Sequence, residues 1–418
     1  MTVAITGPLL LALPALYAGV MVWLRGGWQR SRAAAATAAT GPPGAAQENG
    51  PLLFSVLVAA RDEAAALPWL LADLAAQALP AARFEVLVAD DHSADGTAAV
   101  VRAARVPFHL RLVELTTTQT GKKAALTAAL AQAGAPWLVC TDADCRLGPG
   151  WLAAYARLLA ADEAPNFSAQ APSTNNQAPT PKHHPDFISG PVLLTGPNTF
   201  FQSLLGLEFA GLVGVGAACI GRGAPTMCNG ANLAYRRAAF AAVGGYADHA
   251  HLASGDDEFL MHRLHAARPG AVRFLADAAA LVRTAAPATV GALLRQRVRW
   301  ASKWRHYQNP ASRRLALLVL GANVALAAGA GAALLWPALW PWVGTAWLLK
   351  LGADAWLLAP ILKFLERRRW LALLLPLQLL YAPYALAVGA AGWRGGYRWK
   401  GRWEANVGRL NEGRDFQH

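Results

Sequence analysis

The 418-residue chain is poor in charge and poorer in acid than in base. Charged residues make up 15% of it and hydrophobic ones 55%, a departure from ordinary soluble proteins toward membrane proteins. Cysteine is scarce and unpatterned. Cys140, Cys145, Cys219 and Cys228 form neither a CxxC pair nor a zinc spacing, so they read as reduced, mostly buried thiols. The net charge of +13 comes without a nucleic-acid-binding motif, and no internal repeat is present. Charge is missing most completely from residues 3–24, 315–336 and 370–393, and residues 340–362 contain only Lys350 and Asp354. Each of these runs reaches the ~20 residues that a helix needs to cross a bilayer.

A cleaved signal peptide would have its basic residues ahead of the first run. Here Arg25, Arg30 and Arg32 follow it, which points to a signal anchor with the chain entering the cytosol after residue 24. Other basic residues crowd beside the later runs: Arg295, Arg297, Arg299, Lys303, Arg305, Arg313 and Arg314 before one, Lys363 and Arg367 to Arg369 before the last. Such placement suits anionic headgroups and an anionic substrate. Three crossings after a cytosolic domain would leave the basic tail (residues 394–418) outside. The last run, broken by Pro376 and Pro383, is therefore expected to be re-entrant. Lys350 and Asp354, one turn apart, are expected to neutralise each other while facing other helices.

Residues 25–50 read as a linker, and a soluble domain is expected over residues 51–312. Within it, PLLFSVLVAA, FEVLVADD, HLRLVEL and PWLVCTDAD have the composition of strands, and helical segments separate them. This alternation predicts a parallel α/β sheet that binds its ligand at the strands' carboxyl ends. Residues 161–187, rich in Pro, Asn and Gln, read as a flexible insertion, and its His183 and His184 are not expected to bind metal. A strand is expected from ISGPVLLT, and residues 200–220 read as an interfacial or partly buried helix.

Four polar clusters stand out. Asp90 and Asp91 open the sequence DDHSADGT after a strand; a carboxylate there can accept a base's imide N–H, or simply cap the next helix. Asp142 and Asp144 follow another strand, and carboxylates at i and i+2 can hold a hard divalent cation. Asp256, Asp257 and Glu258 start a helical segment, where they either favour its positive end or supply a general base of raised pKa. Gln296, Arg299 and Trp300 share one helical face, suited to a saccharide and a diphosphate but equally to a bilayer interface.

In their order, VAARDE, DDHSADGT, GKKAAL, TDAD, CNGANLAYRRAAFAAVGGY, SGDDEFL and QRVRW resemble the membrane-embedded family 2 glycosyltransferases over roughly residues 52–305. The branch acting on lipid acceptors, such as ceramide or carotenoid, looks most similar, and the tail sequence Trp399-Lys-Gly-Arg402 fits it. QxxRW is shared with polysaccharide synthases. The resemblance implies a GT-A, Rossmann-like nucleotide-sugar domain between transmembrane helices and a Mg²⁺ or Mn²⁺ cofactor. It implies Ala60, Arg61 and Glu63 lining the nucleotide pocket, Asp91 with Asp90 on uracil and ribose, and Lys122 near the diphosphate. Asp144 would hold the metal and Asp142 the donor sugar or ribose. Asp257, with Asp256 as the alternative because GDD replaces the family's TED, would be the base. Gln296, Arg299 and Trp300 would close over donor and acceptor.

The expected activity is inverting transfer of a sugar, UDP-linked by the resemblance, to a membrane lipid or lipid-linked acceptor. A processive synthase that extrudes its polymer is the second reading, and a non-catalytic transporter or scaffold with a nucleotide-sensing domain is the third.

Overall fold

The computed structural model describes residues 2–39, 50–163, 184–246, 256–301, 309–394, 397–399 and 402–404. Helix α1 (Thr2–Ala39) is continuous well beyond the charge-free run. Residues 25–39, expected as linker, are therefore helical. Alanine fills much of this stretch and is the best helix former. Tertiary contacts also hold it: the Ser31 hydroxyl donates to the Ala217 carbonyl at 2.9 Å, and Arg32 donates to the Ala276 carbonyl at 2.6 Å.

The sheet domain then begins with β1 (Phe54–Ala60), α2 (Leu67–Ala75), β2 (Phe84–Asp90), α3 (Thr97–Ala103), β3 (His109–Glu114), α4 (Lys122–Gln132) and β4 (Trp137–Asp142). These four strands are parallel, as their alternation with helices predicts. Next come α5 (Trp151–Glu163), β5 (Phe187–Ser189), β6 (Val192–Thr195), α6 (Phe200–Gly221), β7 (Leu233–Arg236), α7 (Arg237–Ala242), α8 (Asp256–Ala267), β8 (Val272–Phe274) and β9 (Val282–Ala285). The main sheet has the order β3-β2-β1-β4-β7-β5-β8, with β7 antiparallel between β4 and β5. Residues 161–163 belong to α5 and Phe187 to β5, so the expected insertion is narrower than 161–187; residues 164–183, including His183, lie outside the described residues. His184 uses its backbone carbonyl to accept from Arg268.

The single strand expected over ISGPVLLT is two strands in two sheets, since β6 pairs only with β9. Pro191 has no N–H for a ladder. Gly190 lies so close to Asn232 that a Cβ would sit 2.3 Å from its amide nitrogen.

Side-chain alternation divides the core between the sheet's two faces. Val56, Val58, Val86, Val88 and Val139 pack with α2 and α5. Leu57, Leu87, Leu138 and Cys140 belong to a second cluster that continues through α4 and α6 to Tyr17, Met21 and Leu24 of α1. The same cluster reaches α9 to α12's bundle through Leu357, Leu358 and Ile361. The helices concerned are α9 (Val290–Ala301), α10 (Pro310–Leu335), α11 (Trp340–Phe364) and α12 (Leu374–Arg394), after which β10 (Tyr397–Trp399) and β11 (Arg402–Glu404) form an antiparallel hairpin.

Among the described residues, five helices are long and apolar enough to span a membrane: α1, α6, α10, α11 and α12. Of these α6 is the most buried, and it meets α1 at the end nearer the sheet domain. There Gly27 and Gly221 face each other: a Cβ on Gly221 would lie 2.1 Å from the Gly27 carbonyl oxygen. Only glycine permits that approach. Lower in the bundle, Lys350 Nζ lies 2.8 Å from Asp354 Oδ2, which also accepts from Gln378 Nε2 at 2.8 Å. Tyr17 donates to Asp354 Oδ1 at 2.5 Å. The pair faces other helices, as its spacing suggests.

Candidate active site

Strand register builds the site. Ala60 pairs with Asp90 and Ala59 with Asp142, so the carboxyl ends of β1, β2 and β4 finish at one edge. The loops leaving β1 and β2 then lace together. The amides of Asp62, Glu63 and Ala64 donate to Ser93 Oγ, Thr97 Oγ1 and Asp95 Oδ2 at 2.9, 2.8 and 2.9 Å, and Ala94 N donates to Asp62 Oδ1 at 2.9 Å. Asp62 and His92 have φ of 52° and 57°, a left-handed backbone at the first turn after each strand. Asp and His tolerate it better than most residues, and such strain concentrates where a chain must present specific groups.

The two acids at the end of β2 differ. Asp91 is engaged: its Oδ2 accepts from Gly121 N at 3.0 Å, its Oδ1 lies 3.0 Å from His92 Nδ1, and Arg61 donates to its backbone carbonyl at 3.2 Å. Asp90 is buried, with Oδ2 accepting from Ser93 N at 3.3 Å and Oδ1 lacking any hydrogen-bond partner. An unfilled buried carboxylate oxygen is costly unless a donor arrives. Asp90 Oδ1 thus stands open at the strand edge, next to the engaged Asp91.

Lys122 begins α4 after Gly121, whose φ of 89° turns the chain sharply. Its ammonium lies 2.6 Å from Asp142 Oδ1. Across from it, Asp257 opens α8, with Oδ1 accepting from Glu258 N at 2.9 Å and Oδ2 accepting from Gly230 N at 2.8 Å. A Cβ on Gly230 would lie 3.2 Å from Lys122 Nζ and 3.3 Å from Asp257 Oδ2. Lys122, Asp142 and Asp257 thus converge around Gly230, the last of them more than a hundred residues beyond the first two. Asp256 starts the same helix; its side chain is outside the described residues.

Sequence reasoning missed Gly230 and the residue that fixes its loop. Asn232 is fully buried and satisfied on every side: its carbonyl oxygen accepts from Trp151 Nε1 at 2.9 Å and Tyr155 OH at 2.8 Å, while its amide donates to Pro191 and Ala280 carbonyls at 2.7 and 2.8 Å. The segment CNGAN was the available signal, but nothing in it told a pin from a spacer. His262 lies a turn and a half beyond Asp257 on α8. Burial lowers its pKa to about 4, so its ring is neutral at neutral pH.

Asp142, Asp144 and Cys145 bring one ligand atom each within 4.8 Å of one another. Burial, reinforced by the two aspartates, raises the Cys145 thiol pKa and keeps it protonated. The donors that remain are two carboxylates, hard oxygen ligands that suit Mg²⁺ or Mn²⁺ and leave positions for phosphate oxygens. The ammonium against Asp142 already shows the attraction for a cation there.

Gln296, Arg299 and Trp300 all lie on α9, which packs along α12. Trp300 is turned toward α6, its ring 6.2 Å from that of Phe209, with the Arg297 guanidinium 4.3 Å from its centroid.

The comparisons agree with this architecture. The model of the family described as glycosyl transferase family 2 matches residues 55–241. The sheet domain has the GT-A fold of nucleotide-sugar-dependent glycosyltransferases. Among solved structures, a mannosyltransferase from Pyrobaculum calidifontis, in complex with GDP-Man and Mn²⁺, is similar at 20% identity and a TM-score of 0.51, over 90% of this chain and 99% of that one. S. aureus TarS 1–349 with UDP matches at 18% identity over 87% of this chain and 98% of that one, with a TM-score of 0.42. No curated protein matches the chain. Fold and family match together support sugar transfer from a nucleotide sugar.

Proposed function

We propose that the protein is an inverting, metal-dependent glycosyltransferase that moves a hexose from a nucleotide sugar to a membrane lipid or lipid-linked acceptor at the cytosolic face. The observation that carries this reading is the convergence of Lys122, Asp142 and Asp257 around Gly230, beside the unfilled carboxylate oxygen of Asp90. Asp90 accepts from the base, and Ala60, Arg61, Glu63 and Asp91 shape the nucleotide pocket. Asp144, with Asp142, would hold Mg²⁺ or Mn²⁺, which supplies Lewis-acid neutralisation of the departing diphosphate. Lys122 and Arg299 add fixed positive charge to that leaving group. Asp257 takes the acceptor hydroxyl's proton while that oxygen attacks the anomeric carbon from the face opposite the nucleotide. The Gly230 amide holds the Asp257 carboxylate in place for this.

Lipid acceptors are favoured by the core that runs unbroken from the sheet into helices fit to span a bilayer. A re-entrant α12 is favoured by Tyr384, midway along it, reaching Arg297 of α9 and Glu208 of α6 rather than the far end of the bundle. This leaves the tail cytosolic.

The test is nucleoside-diphosphate release by the full chain in lipid nanodiscs, supplied with UDP- and GDP-sugars, Mn²⁺ and a membrane-lipid extract, with products separated by size. A discrete glycolipid is expected. A long polymer would establish a processive synthase instead, and no release with any donor would overturn the enzymatic reading.

A further inference from the structure

Glu208 is the single charged residue in the 22-residue helix α6. It is not left alone: Arg297 of α9 donates from Nη2 to Glu208 Oε2 and from Nε to the Tyr384 hydroxyl of α12 at 3.0 Å. Tyr384 in turn lies 3.5 Å from Glu208 Oε1. The side chains of Arg297 and Glu208 are only 5% and 9% exposed. Three helices from distant parts of the chain thus meet in one buried ionic knot.

Its placement is the significant point. Arg297 sits between Gln296 and Arg299 in the QxxRW segment, and its guanidinium covers the ring of Trp300. The knot therefore fixes the rotation of α9 about its own axis, and with it the directions in which Gln296, Arg299 and Trp300 point. A buried pair of this kind adds little to stability compared with an apolar replacement, but breaking one partner leaves a buried charge and favours a different arrangement. Its value is in specifying geometry.

We infer that Glu208 is a positioning residue for sugar transfer, acting through Arg297 and Tyr384 to hold the α9 face against the acceptor. This rests on the glycosyltransferase reading above. Its effect belongs to the acceptor side, because α9 joins the sheet domain to the membrane helices.

The test uses the full chain in nanodiscs, comparing wild type, Glu208→Gln and the neutral pair Glu208→Gln/Arg297→Gln. Glu208→Gln should raise the apparent KM for the lipid extract about tenfold and leave the donor KM unchanged, and the neutral pair should recover most of the loss. Hydrogen exchange is measured alongside and does not depend on turnover. In Glu208→Gln, exchange should quicken in residues 290–301 and 378–394, while the strands of the sheet exchange as before. If exchange at 290–301 is unchanged, the inference is overturned whether or not the protein is an enzyme. If exchange quickens but both KM values stay at wild type, the knot is merely structural and the positioning role is overturned. Wild-type protein inactive with every donor, together with the expected exchange pattern, would sink the functional reading and leave the mechanical coupling standing.

Discussion

Two of the polar clusters among the described residues are finished to different degrees. In the one inside the helix bundle the carboxylate is engaged through both oxygens: Asp354 receives Lys350, Gln378 and Tyr17, and the Lys350 ammonium also lies 4.7 Å from the Tyr17 ring. The one at the sheet edge is open, with a buried oxygen of Asp90 unfilled and Lys122 resting on Asp142. An engaged carboxylate holds helices together. An unfilled carboxylate oxygen at a strand edge can take a donor from a ligand, and that difference is the one experiment can probe.

The comparison can be broken or sharpened by experiment. The largest effect is expected from Asp257→Asn, which should lower kcat by about a thousandfold, within the range for a lost general base. Donor binding, followed by calorimetry with Mn²⁺, should persist; loss of both would make Asp257 a structural acid. Breaking the bundle cluster with Asp354→Leu should instead destabilise the fold by about 3 kcal/mol, because Lys350 is left buried and unpaired. Lys350→Met/Asp354→Leu should restore most of the melting temperature with donor KM unchanged throughout. A shift of donor KM in that double variant would join the two clusters functionally. Asp90→Ala should raise donor KM by roughly ten- to a hundredfold, as expected for one charged hydrogen bond, with the lipid KM unaffected.

A further effect is with pH, spread over a wide range and small at neutral pH. The His262 pKa falls to about 4 on folding from a usual value near 6.5, so the unfolded chain binds the extra proton between those values. Its contribution is complete above pH ~6.5 and is lost as pH falls toward 4, by at most ~1.4 kcal/mol per unit. His262→Gln should flatten that part of the melting-temperature profile.

Much of this was legible because parallel strands end in polar residues at one edge. DDHSADGT and TDAD each follow a short apolar run, and the register of β1 with β2 and β4 does the rest. Convergence across the chain was not legible. Gly230 reads as an ordinary loop glycine until Lys122 and Asp257 are seen on either side of it, and Glu208 reads as a solitary charge until α9 supplies Arg297. The antiparallel β7 was hidden as well, since LAYR is too short to announce its direction. Residues 25–39 misled for a different reason: alanine-rich composition fits a linker or a helix, and only the seat against α6 decides between them.

That seat makes α1 a ruler. At ~1.5 Å per residue its 38 residues measure about 57 Å, roughly twice the apolar thickness of a bilayer. In the proposed topology residues 3–24 are embedded, and the remaining length is a stiff mast clamped at Gly27 to α6. The sheet edge then stands at one fixed height and one fixed bearing above the lipid surface. Inserting a single residue before Gly27 would swing that bearing by about 100°, so the spacing along this helix sets the reach of the proposed enzyme as firmly as any side chain at the sheet edge.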